Sequence, residues 1–168
     1  MAGTVLFKGG EMHLLGGHPA LGQAAPDVTL TKVDFSPLAL SELRGRVVVL
    51  SVTPSLDTPV CDLQAQRFNA AAADLGGEVA VLNISLDLPP AVKRWCGATG
   101  SDQIIALSDY RERAFGLAYG VVIDELKLLA RAVFVLDRDG VLRYAEIVPE
   151  VTQAPDYEAA LKAAKGLV

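Results

Sequence analysis

From Val47 to Leu75 the chain sets a strand-length apolar run, a proline-rich bend and a long helical stretch in direct succession, and this arrangement limits the fold more than any other feature. A run such as Val47 to Val52, apolar but for Ser51, suits a central strand covered on both faces. Pro54 to Thr58 then reads as a bend, and Pro59 fits the first helical position, where its missing N–H is not needed. The helix is expected to run to Leu75, with Leu63, Phe68 and the alanines at 70 to 72 toward the core, and to stop at Gly76-Gly77. A strand feeding a helix in this way is the building unit of an α/β sheet.

The same alternation extends in both directions. Thr4 to Lys8 and Glu11 to Leu15 flank Gly9-Gly10 and predict an N-terminal β-hairpin. Gly16 to Pro26 reads as a loop and Val28 to Val33 as extended chain, and Ser41 is expected to cap a short helical turn closed by Gly45. Glu78 to Leu86 is the next strand, and Pro89-Pro90 opens a helix through Trp95 and Cys96 that Gly97 should close. Ile104 to Leu107 predicts a strand and Asp109 to Tyr119 a helix. Ala130 to Leu136 and Val141 to Ile147 predict a hairpin around Arg138-Asp139-Gly140, and Pro155 to Lys165 a last helix. No repeat or linker interrupts the pattern, so residues 1–168 are expected to form one domain, a mixed α/β sheet flanked by helices.

Composition narrows the function classes. With 168 residues, 51% of them hydrophobic and a net charge of -5, the chain suits a folded globular domain and lacks the clustered basic face that nucleic acid requires. Apolar runs fall far below the roughly 20 residues of a membrane span. Met1 to Leu15 shows no secretory signal, so a cytoplasmic location is expected. Two cysteines, Cys61 and Cys96, are too few for a disulfide framework, and in a cytosolic chain such a pair is either buried apolar packing or catalytic.

Position favours chemistry for Cys61. It falls at the third residue of the helix after the central strand, where unpaired N–H groups and the positive end of the helix dipole stabilise an anionic thiolate. Thr58 is the expected N-cap, with a hydroxyl able to serve the helix amides or a bound oxygen. Pro54, Thr58 and Cys61 together spell Pro-x-x-x-Thr-x-x-Cys. That pattern resembles the active-site signature of the peroxiredoxins, and Thr-Pro-Ser-Leu-Asp-Thr-Pro-Val-Cys, residues 53 to 61, resembles their thiol peroxidase branch. The N-terminal hairpin, Arg94-Trp95-Cys96-Gly97, Ala130-Arg131-Ala132 and Pro155-Asp156-Tyr157-Glu158-Ala159-Ala160-Leu161 are similar to that branch too, so the likeness covers nearly the whole chain.

The resemblance implies a thioredoxin-like fold and a thioredoxin-dependent peroxidase acting on hydrogen peroxide and organic hydroperoxides without a cofactor or metal. It makes Cys61 the peroxidatic cysteine, with Pro54, Thr58 and Arg131 at its substrate site. Cys96 becomes the resolving cysteine of an atypical two-cysteine enzyme, and a homodimer is implied. The residues fit independently: peroxide cleavage needs a thiolate and donors where the leaving oxygen gains charge. Arg131 lies in an apolar stretch where a guanidinium requires an anionic partner, either the thiolate or a structural Asp or Glu. Ser55 and Asp57 fit substrate binding or ordinary turn chemistry equally. Thr53 stands where the family often has an aromatic residue, and Asp62 places a carboxylate beside the nucleophile, to face either the sulfur or solvent. From the helix positions, about 10 Å of helix rise separates Cys96 from the sheet edge where Cys61 belongs, so resolution is expected to need local unwinding.

Rivals are weaker. Cys61 and Arg67 have the Cys-x5-Arg spacing of a cysteine phosphatase, but the intervening residues are helical and lack glycine. Position 64 is Gln, which removes a Cys-x-x-Cys motif. His13 and His18 fall in the hairpin and loop, away from any hydrolase dyad, and two distant cysteines make no metal site. A non-enzymatic thiol redox sensor using the same cysteine pair is the alternative from another class, separable by multiple turnover.

Overall fold

The computed structural model describes residues 3–168; Met1 and Ala2, where the stretch scanned for a secretory signal begins, lie outside them. The N-terminal hairpin pairs β1 (Thr4–Phe7) with β2 (Gly10–Leu15), but its turn is Lys8-Gly9, both at positive φ, and not Gly9-Gly10, since Gly10 already pairs with Phe7. Seven further strands build the main sheet: β3 (Thr29–Thr31), β4 (Pro37–Ala39), β5 (Val47–Val52), β6 (Val79–Ser85), β7 (Ile105–Ser108), β10 (Ala132–Leu136) and β11 (Leu142–Ile147). Their order is β11-β10-β5-β6-β7-β3-β4, with β5, β6 and β7 parallel and the other pairings antiparallel. The expected mixed sheet is present. Two short strands not anticipated from sequence, β8 (Val122–Ile123) and β9 (Leu128–Leu129), extend the hairpin into a second sheet of order β1-β2-β8-β9.

Strand alternation divides the core. On one face Val48, Leu50, Val52, Leu82, Ile84 and Phe134 pack with Phe115 and Tyr119 of α3 (Ala114–Tyr119) and with Leu14 and Ile123 of the second sheet. On the other, Val47, Val49, Val79, Val81, Val133 and Val135 meet α1 (Pro59–Leu75), α2 (Pro89–Thr99) and α4 (Tyr157–Lys165). The period of two in a sheet covered on both faces makes every residue of β5, β6 and β10 buried. Helix α4 lies over β10 and β5, α1 over β5 and β6, and α2 over β7. Helix α1 therefore sits between the other two.

Several boundaries differ from the sequence expectation. Helix α1 has the expected span, but Leu63 is 53% exposed while Gln64 is fully buried. Helix α2 runs through Gly97 and ends at Gly100, whose left-handed φ of 66° makes the reversal. Asp109 to Arg113 is not helical, because Arg113 is left-handed at φ 53° and the Asp109 carboxylate accepts from the amides of Phe115 and Gly116 at 3.1 and 2.8 Å. The short 3-10 turn Leu40–Leu43 has Ala39, not Ser41, at its N-cap position, where the Ala39 amide donates to the Glu42 carboxylate at 2.6 Å. Helix α4 starts at Tyr157, where the Asp156 carboxylate accepts from Ala159.

Candidate active site

The carboxyl end of β5 leads through Thr53 to Thr58 into α1, and this segment is held from β6. Asp87, just beyond β6, accepts from the Ser55 hydroxyl at 2.7 Å, the Leu56 amide at 2.8 Å and the Ser85 hydroxyl at 2.9 Å. Ser55 thus performs turn chemistry here, and Asp57 is exposed, 4.0 Å from Arg94 of α2. Thr58 occupies the N-cap position with extended backbone, φ -112° and ψ 147°. Its hydroxyl does not cap the helix: it donates to the Ser55 carbonyl at 3.0 Å and lies exposed.

Cys61 is the third residue of α1 and is fully buried. The Arg131 guanidinium reaches it from the start of β10, Nη2 donating to Sγ at 3.3 Å. Arg131 is 2% exposed and is aimed by two further bonds, Nε to the Val151 carbonyl at 2.8 Å and Nη1 to Gln64 Oε1 at 2.9 Å. Gln64 is fixed in turn, its Nε2 donating to Ser51 Oγ at 2.8 Å. Among the described residues Arg131 has no carboxylate partner. A permanently charged group in this position is uncompensated unless the neighbouring sulfur is ionised. The structural ion pair considered for Arg131 is therefore absent among the described residues, and the Cys61 sulfur is one of its three hydrogen-bond partners.

The Val151 carbonyl that orients Arg131 belongs to a segment held by the hairpin. Leu6 donates its amide to the Pro149 carbonyl at 2.7 Å and accepts from the Val151 amide at 2.8 Å. Beside this junction a cavity of about 380 Å³ opens, walled by Phe7, Leu126 and Leu128 and faced by Pro54, Thr58 and Arg131. Three of the residues picked from sequence thus share one apolar cavity next to Cys61. Gln64 was missed, because a polar residue inside a helix ordinarily faces water. The available signal was spacing, since Cys61, Gln64, Ala65, Phe68 and Ala72 share one helical face.

Cys96 is apart from this group. It is half-buried on α2 against the core that holds Val92 and Trp95, and both cysteines are free thiols. Burial pushes the Cys96 thiol above its ordinary pKa, which keeps it protonated in this conformation. Asp62 faces neither the sulfur nor open solvent: its Oδ1 accepts from the Trp95 indole N–H at 2.7 Å and from Gln66 Nε2 at 2.9 Å. Arg67, the partner in the phosphatase spacing, stacks its guanidinium 4.5 Å from the Tyr157 ring centroid.

Comparison with known proteins agrees with this geometry. The Redoxin family model matches residues 20–161. The chain is 50% identical over 162 residues to a thiol peroxidase of Halalkalibacterium halodurans, covering 96% of this chain and 97% of the relative. It is likewise 50% identical over 164 residues to a thiol peroxidase of Bacillus subtilis, covering 98% of each. A crystal structure of a peroxiredoxin-like protein from Aquifex aeolicus superposes with a TM-score of 0.93 at 34% identity, covering 99% of both chains. The fold is thus thioredoxin-like, as the resemblance implied.

Proposed function

The chain belongs to the Redoxin family and, within it, to the thiol peroxidases, and from that premise we propose that Cys61 is the sulfur that attacks the peroxide and Cys96 the sulfur that resolves it. The activity is that of a thiol-dependent peroxidase. One observation carries the assignment of Cys61: a buried guanidinium with no carboxylate partner among the described residues lies 3.3 Å from its sulfur. The Cys61 thiolate attacks one peroxide oxygen, the O–O bond breaks, and the other oxygen leaves as hydroxide or alkoxide that takes a proton. Cys61 is left as sulfenic acid. Arg131 is the donor for the oxygen that gains charge, Thr58 joins it once its hydroxyl turns from the Ser55 carbonyl, and Pro54 shields the site from bulk water. The apolar walls at Phe7, Leu126 and Leu128 suit the tail of an organic hydroperoxide as well as hydrogen peroxide.

Cys96 then attacks the sulfenic sulfur, an S–S bond forms, the S–O bond breaks, and water leaves. A dithiol reductant of the thioredoxin type reopens the disulfide by exchange. Cys61 is fully enclosed and Cys96 half-buried on another helix, so this step requires local opening of the first turn of α1, of α2, or of both. The reading treats residues 1–168 as one domain working as a homodimer in the cytoplasm, with no cofactor or metal. No helix among the described residues is long and apolar enough to cross a membrane.

The test is multiple turnover with thioredoxin, thioredoxin reductase and NADPH, following NADPH loss after hydrogen peroxide or cumene hydroperoxide is added. Cys61→Ser is expected to abolish turnover with the fold intact. Arg131→Met is expected to slow peroxide attack about a hundredfold or more, the cost of removing one charge-stabilising donor. Normal turnover by Cys61→Ser would sink the assignment.

A further inference from the structure

The two helices that carry the cysteines are joined by one side-chain bond, and its partners are the immediate neighbours of the cysteines. Asp62 follows Cys61 and Trp95 precedes Cys96, and the indole N–H meets the carboxylate at 2.7 Å. Trp95 is 9% exposed and packs in the same core as Val92 and Ile104, so the bond lies at the margin of a well-filled layer. Asp62 Oδ1 is held from its own helix by Gln66, which presents it toward α2.

Resolution must disturb this arrangement. Cys61 is engaged by Arg131 from the β10 side, whereas α2 packs over β7. With strands about 4.8 Å apart, β10 and β7 are separated by roughly 14 Å across the sheet. A disulfide needs Cα atoms within about 7 Å. Cys96 cannot leave its half-buried seat without moving Trp95, to which it is covalently adjacent, and Cys61 cannot leave Arg131 without moving Asp62.

We propose that the Asp62–Trp95 hydrogen bond is a latch that holds the peroxide-competent conformation closed, so that its release sets how fast the Cys61 sulfenic acid is resolved by Cys96. The proposal rests on the peroxidase assignment of the two cysteines given above. Both residues are positioning residues, since neither touches the peroxide or the reacting sulfurs. A tighter latch leaves the sulfenic acid longer in the closed site, where a second peroxide oxidises it to sulfinic acid. The latch therefore divides the sulfenic acid between recycling and overoxidation.

The test compares wild type, Asp62→Ala, Trp95→Phe and the double variant. Each reduced protein is mixed with hydrogen peroxide in stopped flow, quenched, and assayed by mass for sulfenic acid, disulfide and sulfinic acid. Loss of a hydrogen bond to a charged group is expected to speed disulfide formation about tenfold to a hundredfold in either single variant. The sulfinic fraction at high peroxide should fall in step, and the attack rate on Cys61 should stay within about twofold of wild type. The double variant should be no faster than the singles, as a shared bond requires. Disulfide formation that is unchanged or slower in both single variants overturns the latch.

Trp95→Phe shows whether an Asp62→Ala result reflects the bond or damage to the helix start, and an unchanged attack rate certifies folding. A further readout does not depend on peroxide chemistry. Hydrogen exchange of reduced Asp62→Ala should show faster exchange over residues 90 to 99, and unchanged protection there also overturns the latch. If wild type forms no Cys61 sulfenic acid, the peroxidase assignment falls, and the exchange experiment still decides whether Asp62 holds α2.

Discussion

Gln64→Leu tests the chain of contacts from β5 to the sulfur most directly. Gln64 is fully buried and holds Arg131 with one oxygen while its nitrogen is anchored by Ser51. Leucine has similar volume, so packing is largely kept and three hydrogen bonds are lost, the third from Nε2 to the Val52 carbonyl at 3.3 Å. The bond to the charged guanidinium contributes about 1.5–3 kcal/mol and each neutral bond about 1 kcal/mol. The expected destabilisation is therefore about 3.5–5 kcal/mol, read from urea midpoints at constant m-value. The kinetic effect has a different origin. Freed from Gln64, the guanidinium keeps only Val151 and the sulfur itself as partners, and a misplacement of about 1 Å at a reacting group costs on the order of a hundredfold in rate. Stopped-flow measurement of the second-order reaction of reduced protein with hydrogen peroxide should show a fall of that order. Gln64→Glu keeps an acceptor for Arg131 but gives it the carboxylate partner it otherwise lacks, so the sulfur is no longer needed as counter-charge and the rate should stay low. A Gln64→Leu protein that reacts with peroxide as fast as wild type would refute the view that Gln64 aims Arg131.

Other expectations follow from the same geometry. Cys96→Ser should still gain one oxygen at Cys61, then a second at high peroxide, without thioredoxin-linked turnover; sustained turnover would move the resolving role elsewhere. Asp109→Ala should lower stability by about 2 kcal/mol in urea titration, because the Phe115 and Gly116 amides lose their buried acceptor; an unchanged midpoint would show that water replaces it. The His13 imidazole, bonded to the Glu125 carboxylate at 2.6 Å, should titrate above 6.5, and Glu125→Gln should return it to the ordinary range, as followed by NMR. The sign is fixed: this raised histidine adds stability below its unfolded value of 6.5 and loses it as pH rises through the folded value. Glu125, drawn down to about 2 chiefly by its hydrogen bond with His13, contributes above its ordinary 4.5 and loses that contribution as pH falls toward 2. The pair is fully exposed, so raised salt should shrink the His13 shift.

The sequence carried the parts of the fold that depend on long apolar runs and on special backbone residues. Val47 to Val52 and Pro59 located β5 and the start of α1 because burial on both faces and a missing N–H each leave a local mark. Strand β4 left none: Pro37 begins it, and proline is tolerated there only because the strand lies at the sheet edge. Strands β8 and β9 have two residues each, too few to show alternation, and exist because β2 offers β8 a partner and β8 offers one to β9. The break before α3 depends on Asp109 reaching six and seven residues along the chain, which no local pattern encodes. At the site, Cys61, Thr58 and Pro54 were legible from one short motif. Leu63 faces outward and Gln64 inward, because a buried guanidinium reverses the ordinary link between polarity and facing. Asp62 was visible as an oddity, but its partner Trp95 lies 33 residues away and only tertiary packing joins them.

The hairpin's grip on the segment that orients Arg131 has a consequence for synthesis. Leu6 is bound to Pro149 and Val151, contacts that span most of the chain and are costly to close early in folding. During translation Cys61 emerges roughly 90 residues before Val151, which at about 5–20 residues per second is an interval of roughly 5–18 s. Arg131 itself follows Cys61 by 70 residues, and its Val151 partner by 90, so the surroundings of the thiol stay incomplete throughout that interval. A ribosome-bound chain halted short of residue 151 therefore lacks the carbonyl that receives Arg131 Nε, and the surroundings of Cys61 are complete only when the first strand has met the segment around Val151.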